Sequence, residues 1–194
     1  MKRNKLIIFT IALITLGSCT KKLDELLVNP NSPSVEKADP ALYLTQAQLS
    51  YASFISQTTG FGRSVTRQSN FGAQTYRNGY SAQSFDGVWS TAYTGIFKHV
   101  NVLIPIATAN KQWVNTAMAK IIKAHTMMIL VDLFGDIPNT EANLGTENTN
   151  PKVDAGKDVY ASAIALLDDA IADLGKGTPG SYPGTSDLFY GTTS

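Results

Sequence analysis

Apolar positions recur along most of this chain at the three- and four-residue spacing of an amphipathic helix, and no stretch carries a convincing strand alternation. Asp39 and Pro40 suit a helix start, because aspartate caps free N–H groups and proline fits the first helical position. From there Leu44, Ala47, Tyr51 and Ile55 mark a first helix running to about Ser56. Phe85, Trp89, Ala92, Ile96, Val100 and Leu103 mark a second, with Asp86 as its cap and Pro105 ending or kinking it. Met118, Ile121, Ile122, His125, Met128, Ile129 and Leu133 mark a third over about 114–134. That helix is apolar around much of its girth and is expected near the centre of the core. Gly135 and Pro138 stop it, with Gly135 as a left-handed cap and Asp136 bonding backbone in the turn. A fourth helix starts near Asp154, buries Tyr160, Ala163, Leu167, Ile171 and Leu174, and ends at Gly175 in the left-handed conformation.

The pattern predicts an all-α fold of antiparallel helices, in which the second and third form a hairpin and the fourth begins another. Such pairs fit a stack of helix hairpins, although no self-similarity at a fixed period proves a repeat. Residues 57–84 read as a long irregular connection holding Gly60, Gly62, Gly72 and Gly79 among Phe61, Phe71, Tyr76 and Tyr80. A connection of that length is usually functional or disordered, and its aromatic content argues against simple disorder. Residues 20–38 contain Asn29-Pro30-Asn31-Ser32-Pro33-Ser34 and read as a tether. Residues 177–194 return to Gly, Pro, Ser and Thr.

The start of the chain changes the picture. Lys2, Arg3 and Lys5 precede an apolar run from Leu6 to Leu16, followed by Gly17-Ser18-Cys19. The run is shorter than the roughly 20 residues needed to cross a bilayer, so it reads as a signal peptide with small residues at its cleavage site. The arrangement resembles a bacterial lipobox, with Cys19 as the lipidated first residue of the mature chain. The organisation expected is a signal peptide over 1–18, a lipidated tether over 19–38 and a helical domain over 39–194. Removing residues 1–18 leaves 176 of the 194, enough for one domain with a real core. The formal charge of +1 loses the three basic residues of the signal and becomes −2. No basic stripe invites nucleic acid. With Cys19 lipidated no thiol remains, which excludes disulfides and a cysteine zinc site. Charged residues make up only 16% of the chain, so its surface is polar through amides and hydroxyls, which suits neutral polar ligands such as sugars.

No catalytic set assembles from the residues. His125 sits on an apolar face and reads as a satisfied core histidine, while His99 lies on the polar side of its helix and reads as solvated. Neither has a metal partner at helical spacing. Gly60-Phe61-Gly62 lacks the strand and helix that a phosphate loop needs. Asp132 and Asp136 flank a helix end and a turn and read as structural, and Trp89 and Trp113 read as core. The stretch Tyr76-Arg77-Asn78-Gly79-Tyr80 combines flat aromatic faces with hydrogen-bonding groups, as a sugar site does; it equally suits tyrosines that pin a long loop to the helices. Arg67, Tyr76, Arg77 and Tyr80 are the candidate ligand-binding residues, on composition and loop position. Catalytic and metal-ligating residues are expected to be absent.

In order along the chain stand the lipobox at Cys19, Lys22-Leu23-Asp24-Glu25, Asn29-Pro30-Asn31, and Trp89 with Tyr93, Ile96 and Asn101. Asp132-Leu133-Phe134-Gly135-Asp136-Ile137-Pro138 follows, then Val159-Tyr160 leading to Leu167-Asp168-Asp169-Ala170-Ile171-Ala172-Asp173-Leu174. Together they resemble the SusD/RagB family of nutrient-binding outer-membrane lipoproteins of Bacteroidetes. The resemblance implies tetratricopeptide-like helix pairs with long irregular loops and no enzymatic activity or cofactor. It implies capture of a glycan or other nutrient at the cell surface and delivery to a SusC-like TonB-dependent outer-membrane transporter. The competing expectations are a helical-repeat adaptor lipoprotein that binds no sugar, and a surface glycan-degrading enzyme. Family members run to several hundred residues, so the resemblance also implies an N-terminal fragment, truncated at the C-terminus, with core surface on the fourth helix left exposed. On that expectation residues 19–194 melt broadly and with weak cooperativity in scanning calorimetry, and a sharp two-state transition removes it.

Overall fold

Asp39 and Pro40 begin the first helix as their chemistry predicts: the Asp39 carboxylate accepts the Ala41 N–H at 2.9 Å and proline occupies the first turn. The structure is a computed structural model, and it describes residues 39–69, 81–177 and 183–191. Helix α1 is Pro40–Val65. A 3-10 turn, Ala82–Phe85, leads into α2 (Asp86–Ser90), a π-helical stretch (Thr91–Phe97) and α3 (Lys98–Ala109) with no break in helical backbone. Helix α4 is Trp113–Phe134 and α5 is Gly156–Leu174. Among the described residues there is no strand; Ile137 and Asp154 form one isolated antiparallel bridge. Residues 1–38, including Cys19 and the expected tether, lie outside the described residues.

Helix α1 does not end near Ser56 but runs through Gly60 and Gly62 to Val65, so the irregular connection begins later than expected. Each helical glycine costs about 1 kcal/mol relative to alanine. Phe61 offsets this by stacking on Phe85, with centroids 4.4 Å apart, and both rings pack on the core. The fully buried side chains of α1 include Leu44, Ala47, Gln48 and Phe54; Tyr51 and Ile55 are half-buried beside them. Gln48 is the polar member. Its amide donates to the Ser186 carbonyl at 2.7 Å and accepts from the Leu188 N–H at 2.8 Å, which fastens residues 186–188 to α1.

The second helix starts from Ser81, paired with Ser84, and not from Asp86. It runs past Pro105 to Ala109, because Leu103 and Ala107 are fully buried on either side and hold it to the core at the loss of one intrahelical bond. Its fully buried positions Val88, Ala92, Ile96 and Val100 recur every four residues. In a regular α-helix that spacing drifts by about 40° per step. The wider π stretch takes up the drift and keeps the row facing inward. Gly95 lies where a Cβ would meet Ser50 Oγ at 2.9 Å, so a glycine there lets this segment approach α1.

Helix α4 packs against α3 on one side and α5 on the other and also touches α1, the central place expected for it. Its buried face differs from the expected stripe. Ile122 is buried, whereas Ile121 and Leu133 are about 40% exposed and His125 lies at the surface. A helix with neighbours on several sides needs small residues where axes approach, and Thr116, Ala117, Ala119, Ala124 and Thr126 supply them. His125 is satisfied, by the Tyr51 hydroxyl at 2.5 Å, but outside the core. His99 is half-buried, not solvated, and bonds the Gly95 carbonyl at 2.7 Å.

Helix α5 is likewise turned from expectation. Val159, Ala163, Ala170 and Asp173 are buried, while Ile171 is 67% exposed and Leu174 45%. Two polar contacts set this rotation on antiparallel α4. Lys120 Nζ reaches Asp173 at 2.6 Å at one end, and the Tyr160 hydroxyl donates to Asp132 at 2.9 Å at the other. Burial alone would raise the Asp173 carboxyl; Lys120 and Lys176 outweigh it and hold the group below the ordinary carboxylate range. Gly175 has φ −64°, so the helix ends without a left-handed residue; the N–H groups of Lys176 and Gly177 bond the last carbonyls instead.

Asp173→Ala leaves the partly buried Lys120 with only the exposed Asp169 carboxylate at 3.8 Å and should cost about 2 kcal/mol, lowering the melting temperature by roughly 4–8 °C. Ile171→Ala, at an exposed position, should change it by less than about 2 °C. The reverse ranking in a thermal melt would restore the expected stripe.

Candidate functional site

The segment between α4 and α5 is irregular, yet three carboxylates hold it to its own backbone. Gly135, with φ +78° and ψ −111°, closes α4 through its N–H to the Val131 carbonyl at 2.8 Å. Its φ is positive as expected, but its ψ lies outside the left-handed helical region. Asp136 does bond backbone, across the segment: Oδ1 accepts the Gly156 N–H at 2.8 Å and caps α5. Ile137 is fully buried and exchanges backbone hydrogen bonds with Asp154 at 3.0 and 3.2 Å. The Asp154 carboxylate accepts the N–H groups of Asn139 and Thr140 and the Thr140 hydroxyl, at 2.7–3.0 Å. Asp154 therefore ties down this loop and does not open the helix, which starts at Gly156. Glu141 accepts from Asn148 Nδ2 at 2.9 Å and the Lys152 N–H at 3.2 Å, and pairs with Lys152 Nζ at 3.2 Å.

This loop and the face of the second helix border an open cavity of about 300 Å³. Trp89 and Tyr93 form the helical wall, their rings tilted with centroids 4.8 Å apart, and Phe134 meets Trp89 edge-on at 5.0 Å. Pro138, Ala142, Asn143, Leu144, Gly145, Asn148 and Pro151 form the loop wall. The Tyr93 hydroxyl donates to the Pro138 carbonyl at 2.7 Å and joins the two walls. Burial, and then the nearby charge of Asp154, push Tyr93 ionisation far above its ordinary range, so its hydroxyl stays a donor. Asn143 has φ +61°, a conformation asparagine tolerates better than most residues. Flat aromatic faces beside side-chain amides can hold the C–H face of a sugar ring and bond its hydroxyls.

Of the residues singled out from the sequence, Arg67 lies just past α1, exposed, with φ +58°, and is not part of this cavity. Tyr76, Arg77 and Tyr80 lie outside the described residues. Trp89 is half-buried and lines the cavity as well as packing on the core. The signal available for it was the four-residue spacing of Trp89 and Tyr93, which stacks two rings on one helix face. Asn143 and Asn148 carried no such signal, since loop asparagines are common. Among the described residues no group of three or more His, Cys, Asp or Glu side chains could hold a metal ion, and no helix is long and apolar enough to cross a membrane.

Hydrogen bonds from the Thr140 backbone hold the Asp154 carboxyl below its ordinary range, and those from the Lys152 backbone do the same for Glu141. Their contribution is present above the ordinary carboxylate value of about 4 and is lost as pH falls through the lowered folded values. In a Trp113→Phe chain, Trp89 emission should stay constant from pH 8 to 5 and change below about pH 4. Asp154→Ala should give the acid-type emission already at pH 7. A signal that is flat to pH 2 would show that the carboxylates do not hold the wall.

A family model described as SusD-like, starch-binding and associating with the outer membrane, matches residues 30–194. Among solved structures, a SusD/RagB family protein from Bacteroides thetaiotaomicron superposes with a TM-score of 0.62 at 22% identity. The match covers 79% of this chain and 34% of that one, so the chain spans about a third of the length of that structure. No curated protein matches the chain.

Proposed function

The chain belongs to the SusD-like family, and on that premise we propose that it captures a glycan or related nutrient at the outer membrane without transforming it. The observation that carries this reading is the cavity between the Trp89–Tyr93 wall and the carboxylate-tied loop, whose aromatic and amide lining suits a sugar ring. The acids around it support binding over turnover. Asp136, Glu141 and Asp154 are each engaged in holding backbone, so among the described residues no pair beside the cavity is placed for glycoside hydrolysis. In this reading residues 1–18 are removed, Cys19 carries the lipid that anchors the chain, and residues 19–38 space the domain from the membrane. The captured ligand passes to a SusC-like TonB-dependent transporter. Arg67, Tyr76, Arg77 and Tyr80 extend the contact surface on the segment after α1.

Titration of the full chain with a panel of oligosaccharides should detect binding, and a Tyr76→Ala, Tyr80→Ala pair should weaken it. If the pair binds as the parent does, the loop residues are not contacts. A tagged chain should bring down a TonB-dependent barrel from membranes, and Cys19→Ser should release it to the soluble fraction. Recovery of some other partner would favour an adaptor.

A further inference from the structure

We propose that the cavity beneath Trp89 and Tyr93 admits an uncharged pyranose and rejects uronate and sulfated sugars. This rests on the glycan-capture reading and names the glycans that fit. Among the described residues the lining holds no Lys, Arg, His, Asp or Glu side chain. The charged groups of the loop are already committed: Lys152 Nζ pairs with Glu141 at 3.2 Å, and Asp154 spends its oxygens on Asn139 and Thr140. A carboxylate or sulfate seated against the rings would thus lose part of its hydration, with no cation among the described lining residues to receive it.

The donors that remain suit hydroxyls. Among the described residues the Trp89 indole N–H and the Asn143 amide make no hydrogen bond. Asn148, by contrast, already donates to Glu141 and accepts the Asn150 N–H, which makes it a wall and leaves recognition to Asn143. The volume of about 300 Å³ is at the low end for a ligand pocket. It accommodates one or two rings of a longer chain that continues into solvent.

The test titrates the full chain, in a non-glycosidic detergent, with maltoheptaose, xylohexaose and mannohexaose, and separately with hexagalacturonate and a heparin hexasaccharide. At least one neutral oligomer should bind, with the acidic ones at least tenfold weaker at low salt. Asn143→Gly keeps the left-handed backbone and removes only the amide, and should weaken neutral binding about five- to tenfold. Trp89→Ala should abolish it. Acidic oligomers that bind as tightly as neutral ones overturn the proposal and leave glycan capture standing. So does neutral binding that both variants leave unchanged. Absence of binding to every sugar overturns both readings.

Discussion

Asp154 is the residue on which the site depends. Its backbone pairs with buried Ile137 and its carboxylate gathers two further N–H groups and a hydroxyl, so one side chain replaces the regular hydrogen bonding that a loop lacks. The consequence reaches both helices. Asp136 is brought to cap α5, and Gly156 lies so close to the Gly135 carbonyl that a Cβ there would sit 2.9 Å from it. The turn between α4 and α5 is therefore fixed by hydrogen bonds made in a polar segment, and the cavity wall inherits that order. A wall built of exposed loop residues would otherwise pay conformational entropy on each binding event.

Inside the bundle the governing constraint is distance between axes. Helix α4 packs on α1, α3 and α5 and buries alanine and threonine beside Ile122, Met127 and Leu130, while Ile121 and Leu133 stay at the margins. Small buried side chains specify contact but not rotation, since an alanine face can slide. The Lys120–Asp173 ion pair and the Asp132–Tyr160 hydrogen bond, at opposite ends of the α4–α5 pair, supply the missing orientation. This explains why α5 leaves Ile171 and Leu174 outside although hydrophobicity alone assigns them to the core.

The helices were legible in the sequence because periodicity, Asp39-Pro40 and the Gly135–Pro138 stop are local signals. Which face of each helix is buried was less so. Periodicity locates the apolar residues, whereas burial follows the partner, and α4 and α5 obey a close approach and two polar contacts between residues far apart in sequence. The extension of α1 through Gly60 and Gly62 depends on Phe61 meeting Phe85, which no window of one helix contains. Pro105 does not end its helix for the same reason: the packing of Leu103 and Ala107 outweighs its local cost. The candidate site was legible only as a kind of surface. An aromatic and amide lining was expected on the segment after α1, of which Tyr76, Arg77 and Tyr80 lie outside the described residues; the cavity uses Trp89, which reads as core, with Tyr93 and loop residues that carried no signal.

The π stretch links these threads. A row at four-residue spacing, Val88 to Val100, faces the core because the widened turn cancels the drift of an α-helix. The same spacing places Trp89 and Tyr93 on an adjoining, half-buried row, where their rings lie tilted against each other. Tyr93 then bonds the Pro138 carbonyl and so fixes the loop against that row. One local departure from regular helix thus serves packing on one face and the aromatic wall on the other. A substitution that restored regular winding would turn Tyr93 away from Pro138 even if the core repacked around it. The geometry of the cavity is in this sense written into the helix backbone, and the loop, for all its polar fastening, is shaped to meet it.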